Sequence, residues 1–419
     1  MALALAAVAL LTVTVGLALD EAGVGLGTQL PPFFASWDPG IDSDALVALP
    51  ILLLAGLVAA RSVEWSASPT SFLVVATLAG AGARLALAAA GGGTSSWASV
   101  FGTDPEAANE YLPALPALDR GVGNFLDRFA EVAPSLPIHP SAHPPGLLLT
   151  MEGLGIESPG GLAALVIVGG LAAIPLTYVL ARRVGLDPGR ARIAALLTAF
   201  SPAGMIYGVT STDALFASLG MVAAVLLVGS GWLSRVGGAV ALAVGAFFSW
   251  ALLAIGAFAF FLVAQRERAR DAIAMAATAG AALVTMYFGL WAVWGFDPIG
   301  SLAAASEVYE LGISQARPLV YWAFGSPVAW ALASGLPIAW YGAKALGAGA
   351  PVAVALAAIV VVAAALGFSK AETERIWLFM TPLLAVAAAH AIPRHYAAAV
   401  IGFCLVQAVA MELLLETIW

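Results

Sequence analysis

Residues 2–19 contain no charged side chain and no proline, and similar apolar runs recur along the whole chain. A helix of about 20 such residues crosses the hydrocarbon core of a bilayer. Runs that read as spans lie near 2–19, 45–60, 71–91, 160–181, 191–208, 213–230, 235–248, 250–264, 272–293, 319–341, 350–367, 375–392 and 396–415. They predict an all-α fold, a polytopic transmembrane helical bundle of about 13 spans. The range is 11–14, because several runs are short and 235–264 also reads as one long broken helix. Of the 419 residues, 62% are hydrophobic and 10% charged, against about 25% charged in a soluble domain. Lipid must therefore solvate much of the chain. Residues 2–19 lack the basic flank of a signal peptide, so a retained first helix is expected.

The formal charge is −8, and no basic cluster of the kind that binds nucleic acid is present. The single cysteine, Cys404, excludes an intrachain disulfide and a cysteine-only metal cluster.

Basic residues orient the map, because they played no part in choosing apolar runs. With the N-terminus cytoplasmic, the inner loops hold Arg61, Arg182, Arg183, Arg190, Arg192, Arg235, Arg266, Arg268, Arg270, Lys344 and Arg394. The outer side receives Arg120, Arg128, Arg317, Lys370 and Arg375, and Arg84 falls inside a span. This bias predicts a plasma-membrane protein with three substantial outer segments, 20–44, 92–159 and 294–318. No internal repeat or separate soluble domain interrupts the chain, so 1–419 reads as one integral membrane domain. Its chemistry is expected in the outer loops or in the helix ends beneath them.

The 92–159 loop is the longest. It carries Asp104, Glu106, Glu110, Asp119, Asp127 and Glu131. From Glu106 to Phe129, the residues Tyr111, Leu115, Leu118, Val122, Phe125 and Phe129 form an apolar stripe at helical spacing. The stripe predicts helix lying on the membrane interface, broken by Pro113 and Pro116. Acids held there feel desolvation and neighbouring like charge, which raise a carboxylate pKa toward general-base duty. The bland alternative is a solvated acidic loop.

Further along stands His139-Pro140-Ser141-Ala142-His143-Pro144-Pro145-Gly146. Both histidines precede proline, which favours extended geometry, and four residues at about 3.1 Å each would separate them by roughly 12 Å. A two-histidine metal site is not expected. Pro144 and Pro145 read as the start of the next helix. The apolar run Leu147–Leu154 is too short to span. His143 would stand at that helix's N-terminus, where an anionic group is favoured.

Glu110-Tyr111 followed by His143-Pro144-Pro145-Gly146 resembles the first large outer loop of GT-C glycosyltransferases, the superfamily of protein O-mannosyltransferases and lipid A aminoarabinose transferases. The resemblance implies transfer of a sugar from a polyprenyl-phosphate donor, with Glu110, or Asp104 nearby, deprotonating the acceptor. In many members the acidic motif follows the first helix, whereas Glu110 follows the third. Asp20-Glu21 occupies the earlier place, but no tyrosine and no Pro-Pro segment accompany it in the same way, which favours Glu110.

Lys370 and Arg375, in Ser369-Lys370-Ala371-Glu372-Thr373-Glu374-Arg375, are outer-side cations at the mouth of the 375–392 span. An arginine there, steadied by Glu372 or Glu374, can grip a lipid phosphate in a fork, and an interfacial anchor is the competing reading. Arg84 either snorkels outward or pairs with an outer-loop carboxylate such as Glu110. Asp213, in Thr210-Ser211-Thr212-Asp213, caps a helix by default and has a second reading in sugar or metal binding. Residues 306–310 and 315–318 predict another interfacial segment.

Together these residues predict a GT-C-like glycosyltransferase acting at the extracytoplasmic face. Its catalytic carboxylate would be Glu110 or Asp104, with Tyr111, His143, Arg375, Lys370, Arg84 and Asp213 binding substrate. Its partners would be a polyprenyl-phosphate-linked sugar, a sugar, lipid or protein acceptor, and membrane lipid. Carboxylates suit hard divalent cations, but no ligand set is complete. A transporter or flippase is the rival. Transporters gather polar groups near the bilayer midplane, whereas here they crowd one face.

Overall fold

The computed structural model describes residues 1–40, 43–65 and 67–417. Residues 41 and 42 of the expected outer segment 20–44 lie outside the described residues. Helices dominate, and the one sheet among the described residues is a two-residue antiparallel ladder that pairs Ser36 with Glu416 and Trp37 with Leu415.

Helix starts follow a recurrent local code, a small polar residue and then proline. Ser68 accepts a hydrogen bond from Ser71 N, Asp187 from Gly189 N and Arg190 N, Ser201 from Gly204 N, and Asp297 from Ile299 N and Gly300 N. Each cap is followed by proline at the first helical position, where the missing N–H costs nothing.

Among the described residues, six helices are long and apolar enough to cross a membrane: Ala2–Glu21, Ala45–Ser62, Pro69–Ala89, Pro159–Arg183, Ala269–Trp294 and Arg394–Leu414. Two bent pairs raise the number to eight, so the structure supports fewer spans by length and composition than the thirteen expected. The reasons are local. Pro202 ends one helix at Phe200 and starts another, giving Pro188–Phe200 and Pro202–Thr210 a 53° bend. Gly335, at φ +123°, breaks 319–341 into Leu319–Ser334 and Leu336–Gly347, which meet at 115°. The runs at 213–230, 235–248, 250–264, 350–367 and 375–392 correspond to shorter apolar helices. Phe247–Ser249 separates Trp232–Ala246 from the helix ending at Arg266, so 235–264 is two helices.

The chain divides into two compact units. The first comprises Met1–Trp97, Val166–Met221 and Ala316–Trp419. In it, Pro69–Ala89 packs against Ala45–Ser62, Pro188–Phe200 and Pro202–Thr210, and Thr381–Ala391 packs against Pro188–Phe200 and Leu336–Gly347. Alanine and glycine fill these contacts and let backbones approach closely, as lipid-solvated helices require.

The second unit comprises Ala98–Leu165 and Val222–Gln315. Its irregular segment is pinned by aromatic rings. Phe125 meets Phe129 edge-on at 5.4 Å, Phe129 meets Phe296 at 6.0 Å, and Phe296 meets Phe247 at 5.5 Å. The segment expected as helix broken by Pro113 and Pro116 forms short pieces: the 3-10 turns Pro105–Asn109 and Leu112–Leu118, then Val122–Asp127 and Phe129–Val132. Closely spaced prolines at 113 and 116 remove the donors a longer α-helix needs. Tyr111, Leu118, Phe125 and Phe129 of the stripe are buried, Leu115 is half-buried, and Val122 is exposed. A helix does start after Pro144 and Pro145, running Gly146–Leu154 and stopping at Gly155 in the left-handed region. Gly146 N donates to Phe247 O at 2.9 Å, and a Cβ on Gly146 would collide with that carbonyl. Glycine after the proline pair is therefore a packing requirement.

Candidate functional site

Within the second unit, the turn Pro105–Asn109 carries Glu106 and Asn109, with Glu110 as its C-terminal cap. The helical turn Ile138–Ala142 carries His139. His139 Nε2 lies 2.8 Å from Glu106 Oε1 and 3.7 Å from Glu110 Oε1. Asn109 Nδ2 donates to the other Glu106 oxygen at 3.0 Å. The contact between His139 and Glu106 therefore runs through Nε2, with one proton shared along that hydrogen bond. Glu110 is 1% exposed, and Glu106 and His139 are 8% exposed each. Three groups able to carry protons thus share one desolvated space.

Other candidates from this segment are dispersed around the cluster. Tyr111 is fully buried next to Glu110 in sequence. Asp104 is half-buried at the N-cap of the 105–109 turn, and its side chain caps no N–H. His143 is extended, φ −118° and ψ 153°, as its proline neighbour dictates. His139 departs from that expectation. Pro140 falls in the first turn of a short helix, where a missing N–H is tolerated. Among the described residues, no group of three or more His, Cys, Asp or Glu side chains could hold a metal ion. Asp20 and Glu21, the rival acids, are exposed at the end of Ala2–Glu21.

The first unit holds a separate cluster. Arg375 Nη1 donates to Asp213 Oδ2 at 2.8 Å, and its Nη2 lies 3.3 Å from Glu372 Oε2. Glu372 Oε1 in turn accepts from Arg317 at 3.0 Å. Asp213, Arg375, Glu372 and Arg317 form a chain of alternating charge in which both arginines are buried. Arg317 also donates to the Lys370 carbonyl at 2.7 Å and lies over the Phe34 ring. Lys370 itself is half-buried.

The backbone carrying this cluster is strained. Ala371 and Glu372 have φ values of 66° and 58°, the left-handed region that non-glycine residues avoid. Two such residues in succession cost about 1–3 kcal/mol each and need support from their surroundings. That support is visible. Ser326 donates to Ser369 O, Thr373 donates to Ser326 O at 2.7 Å, and Trp377 Nε1 donates to Ser369 Oγ at 2.7 Å. Glu374 Oε1 accepts from Phe34 N at 2.6 Å. Burial pushes the Glu374 carboxyl up from 4.5 to about 7.

Arg84 belongs to the first unit and joins neither cluster by a hydrogen bond. It is 3% exposed, and its guanidinium lies against Gly204 and Gly208 of Pro202–Thr210. It does not snorkel, and among the described residues it forms no ion pair, so the expected carboxylate partner is not found.

Sequence reading singled out Glu110, Arg375 and Asp213 and named Glu372 as a support for Arg375, but it did not pair Glu110 or Glu106 with His139, Asp213 with Arg375, or Glu372 with Arg317. Glu106 and His139 are 33 residues apart, and Arg317 and Glu372 are 55 apart. The surplus of outer-side cations was the one local hint for Arg317.

No protein-family profile matches the sequence, and no curated protein matches it. Two solved structures of the Archaeoglobus fulgidus oligosaccharyltransferase are similar to this chain. One is the complex with Zn and sulfate, at 17% identity and TM-score 0.49; the other is the apo form, at 16% and 0.48. The alignments cover 83% and 82% of this chain but only 53% and 56% of those chains, so this chain spans just over half their length.

Proposed function

We propose that this chain is a GT-C-type glycosyltransferase of the plasma membrane. It moves a sugar from a polyprenyl-phosphate donor to a sugar, lipid or protein acceptor at the extracytoplasmic face. The observation that carries the reading is the buried Glu110–His139–Glu106 cluster, in the same segment as the Glu-Tyr and His-Pro-Pro-Gly motifs. Glu110 takes the proton from the acceptor hydroxyl as that oxygen bonds to the anomeric carbon. The bond from that carbon to the phosphate oxygen breaks, and the polyprenyl phosphate leaves with the electron pair. Attack opposite the leaving group inverts the anomeric centre. Glu106 fixes the His139 ring, and His139 holds a positive edge toward Glu110. Asp104 is the second-choice base, and Tyr111 and His143 border the same segment.

In the first unit, the chain Asp213–Arg375–Glu372–Arg317 carries two charges of each sign. Its carboxylates therefore orient Arg375 and cancel much of its field. Arg375 and Lys370 are the cations of this unit that would bind a lipid phosphate. The outward orientation rests on the bias of basic residues toward the opposite loops.

The test uses purified full-length protein with a panel of short-chain polyprenyl-phosphate hexoses. Donor turnover by wild type, lost in Glu110→Gln with donor binding retained, supports the reading. Movement of the intact lipid-linked sugar across vesicle membranes, without cleavage, would instead support a transporter or flippase. The buried intramembrane Arg84 is the observation on that side.

A further inference from the structure

Arg84 is a charge buried within the helices of the first unit, and among the described residues no carboxylate pairs with it. Its Nε has no hydrogen-bond partner among the described residues. A guanidinium does not lose its proton in a protein, so burial leaves a full positive charge to be balanced. Gly204 and Gly208, four apart on Pro202–Thr210, form the groove that admits it. A Cβ at Gly208 would lie 2.9 Å from both Arg84 Cδ and Nη1.

Arg84 lines a cavity of about 20 Å³ together with Thr198, Ser201, Gly204 and Thr381. Two of these hydroxyls have a proton to offer. Ser201 Oγ accepts from Gly204 N at 3.0 Å, which leaves its O–H to donate. Thr381 Oγ1 accepts from Trp330 Nε1 at 3.1 Å and shares a hydrogen bond with Ser334 at 2.9 Å; with Ser334 as donor, the Thr381 proton is released. Thr198 is committed to Thr177 and the Ala194 carbonyl. The cavity thus offers one guanidinium and two hydroxyl donors. Its volume suits a single water-sized or halide-sized occupant and excludes the five heavy atoms of a phosphate.

The geometry points to a structural site for one monatomic anion, a halide, held by Arg84, Ser201 and Thr381. The anion completes the charge balance of the first unit, and its site is separate from any that would take a lipid phosphate. The site does not depend on the proposed glycosyl transfer.

Crystals of the full-length protein grown in bromide test this directly and need no variant. An anomalous peak in the cavity beside Arg84 is expected. Density there without anomalous signal means water only and overturns the proposal. In detergent, exchanging gluconate for bromide at constant ionic strength should raise the unfolding temperature of wild type saturably. Arg84→Gln should lose that rise, because a neutral side chain leaves nothing for the anion to balance. An equal rise in both proteins would also overturn the proposal, since halide would then act elsewhere.

Discussion

Arg375 reaches Asp213 with one guanidinium nitrogen and Glu372 with the other, at 2.8 and 3.3 Å. The first contact joins residues 162 positions apart and ties the start of the Asp213–Leu227 helix to the strained segment at 371–372. The second is local, between residues three apart. Arginine is therefore a bridge here, and the interfacial-anchor reading, which needs only a long cationic stem, accounts for neither contact.

A double-mutant cycle measures the bridge. Removing one member of a buried pair typically costs about 3–5 kcal/mol, because the other charge is left uncompensated. Asp213→Asn and Arg375→Gln should each lower the unfolding temperature in detergent. The double variant should be less destabilised than the sum of the two. Arg375→Lys should behave like a partial loss, since one ammonium cannot serve both carboxylates in a fork. Strict additivity of the two single effects would show that the pair contributes nothing.

Lys370→Met removes the ammonium while keeping an unbranched side chain. If it meets the donor phosphate, affinity for a short-chain polyprenyl phosphate should fall about tenfold, the loss of one charge-assisted contact. The remaining affinity should also depend less on salt. Unchanged affinity would remove Lys370 from the donor site.

These clusters show which parts of the structure were legible in the sequence. Punctuation was local and readable. The helix starting at Gly146 and the extended His143 follow from proline and glycine chemistry within a few residues. Apolar runs marked where helices lie, but run length did not reveal how Pro202 and Gly335 would bend them, and the structure supports six to eight candidate spans without confirming about thirteen. Glu110 and Arg375 stood out by residue type and place. The pairings of Glu110 with His139, of Arg375 with Asp213 and of Glu372 with Arg317 did not, because ion pairs between distant residues depend on packing that no local pattern encodes. Arg84 was noticed as a buried charge, yet the groove made by Gly204 and Gly208 appears only once two helices are packed.

The proposed orientation predicts a labelling pattern. Glu131 and Phe368 are exposed, as is the Arg270 side chain. The single native cysteine, Cys404, is buried and gives no background. Cysteines at 131 and 368 should react with an impermeant maleimide in intact cells, and a cysteine at 270 only after permeabilisation. Labelling of 131 and 270 from the same side would break the assignment of faces.

Glu374 gives the protein a pH dependence whose sign follows from burial. The folded state holds its carboxyl at about 7, against an ordinary 4.5. Desolvation is the main cause and Glu372 adds to it, while Arg375 and the Phe34 N–H act the other way. A raised carboxyl pKa means that folding favours the neutral form. The stabilisation is fully present below about pH 4.5 and is lost as pH rises through about 7, a change on the order of 3 kcal/mol. Glu374→Gln retains an oxygen for Phe34 N–H and cannot ionise. Variant and wild type should therefore unfold at similar temperatures near pH 4, and the variant should become progressively the more stable of the two toward pH 8. The difference isolates this one group from other acids in the chain, which titrate in both proteins. A difference that stays constant from pH 4 to 8 would mean that Glu374 keeps an ordinary pKa, and that its neighbours Glu372 and Arg375 set the electrostatics of the 371–375 segment without it.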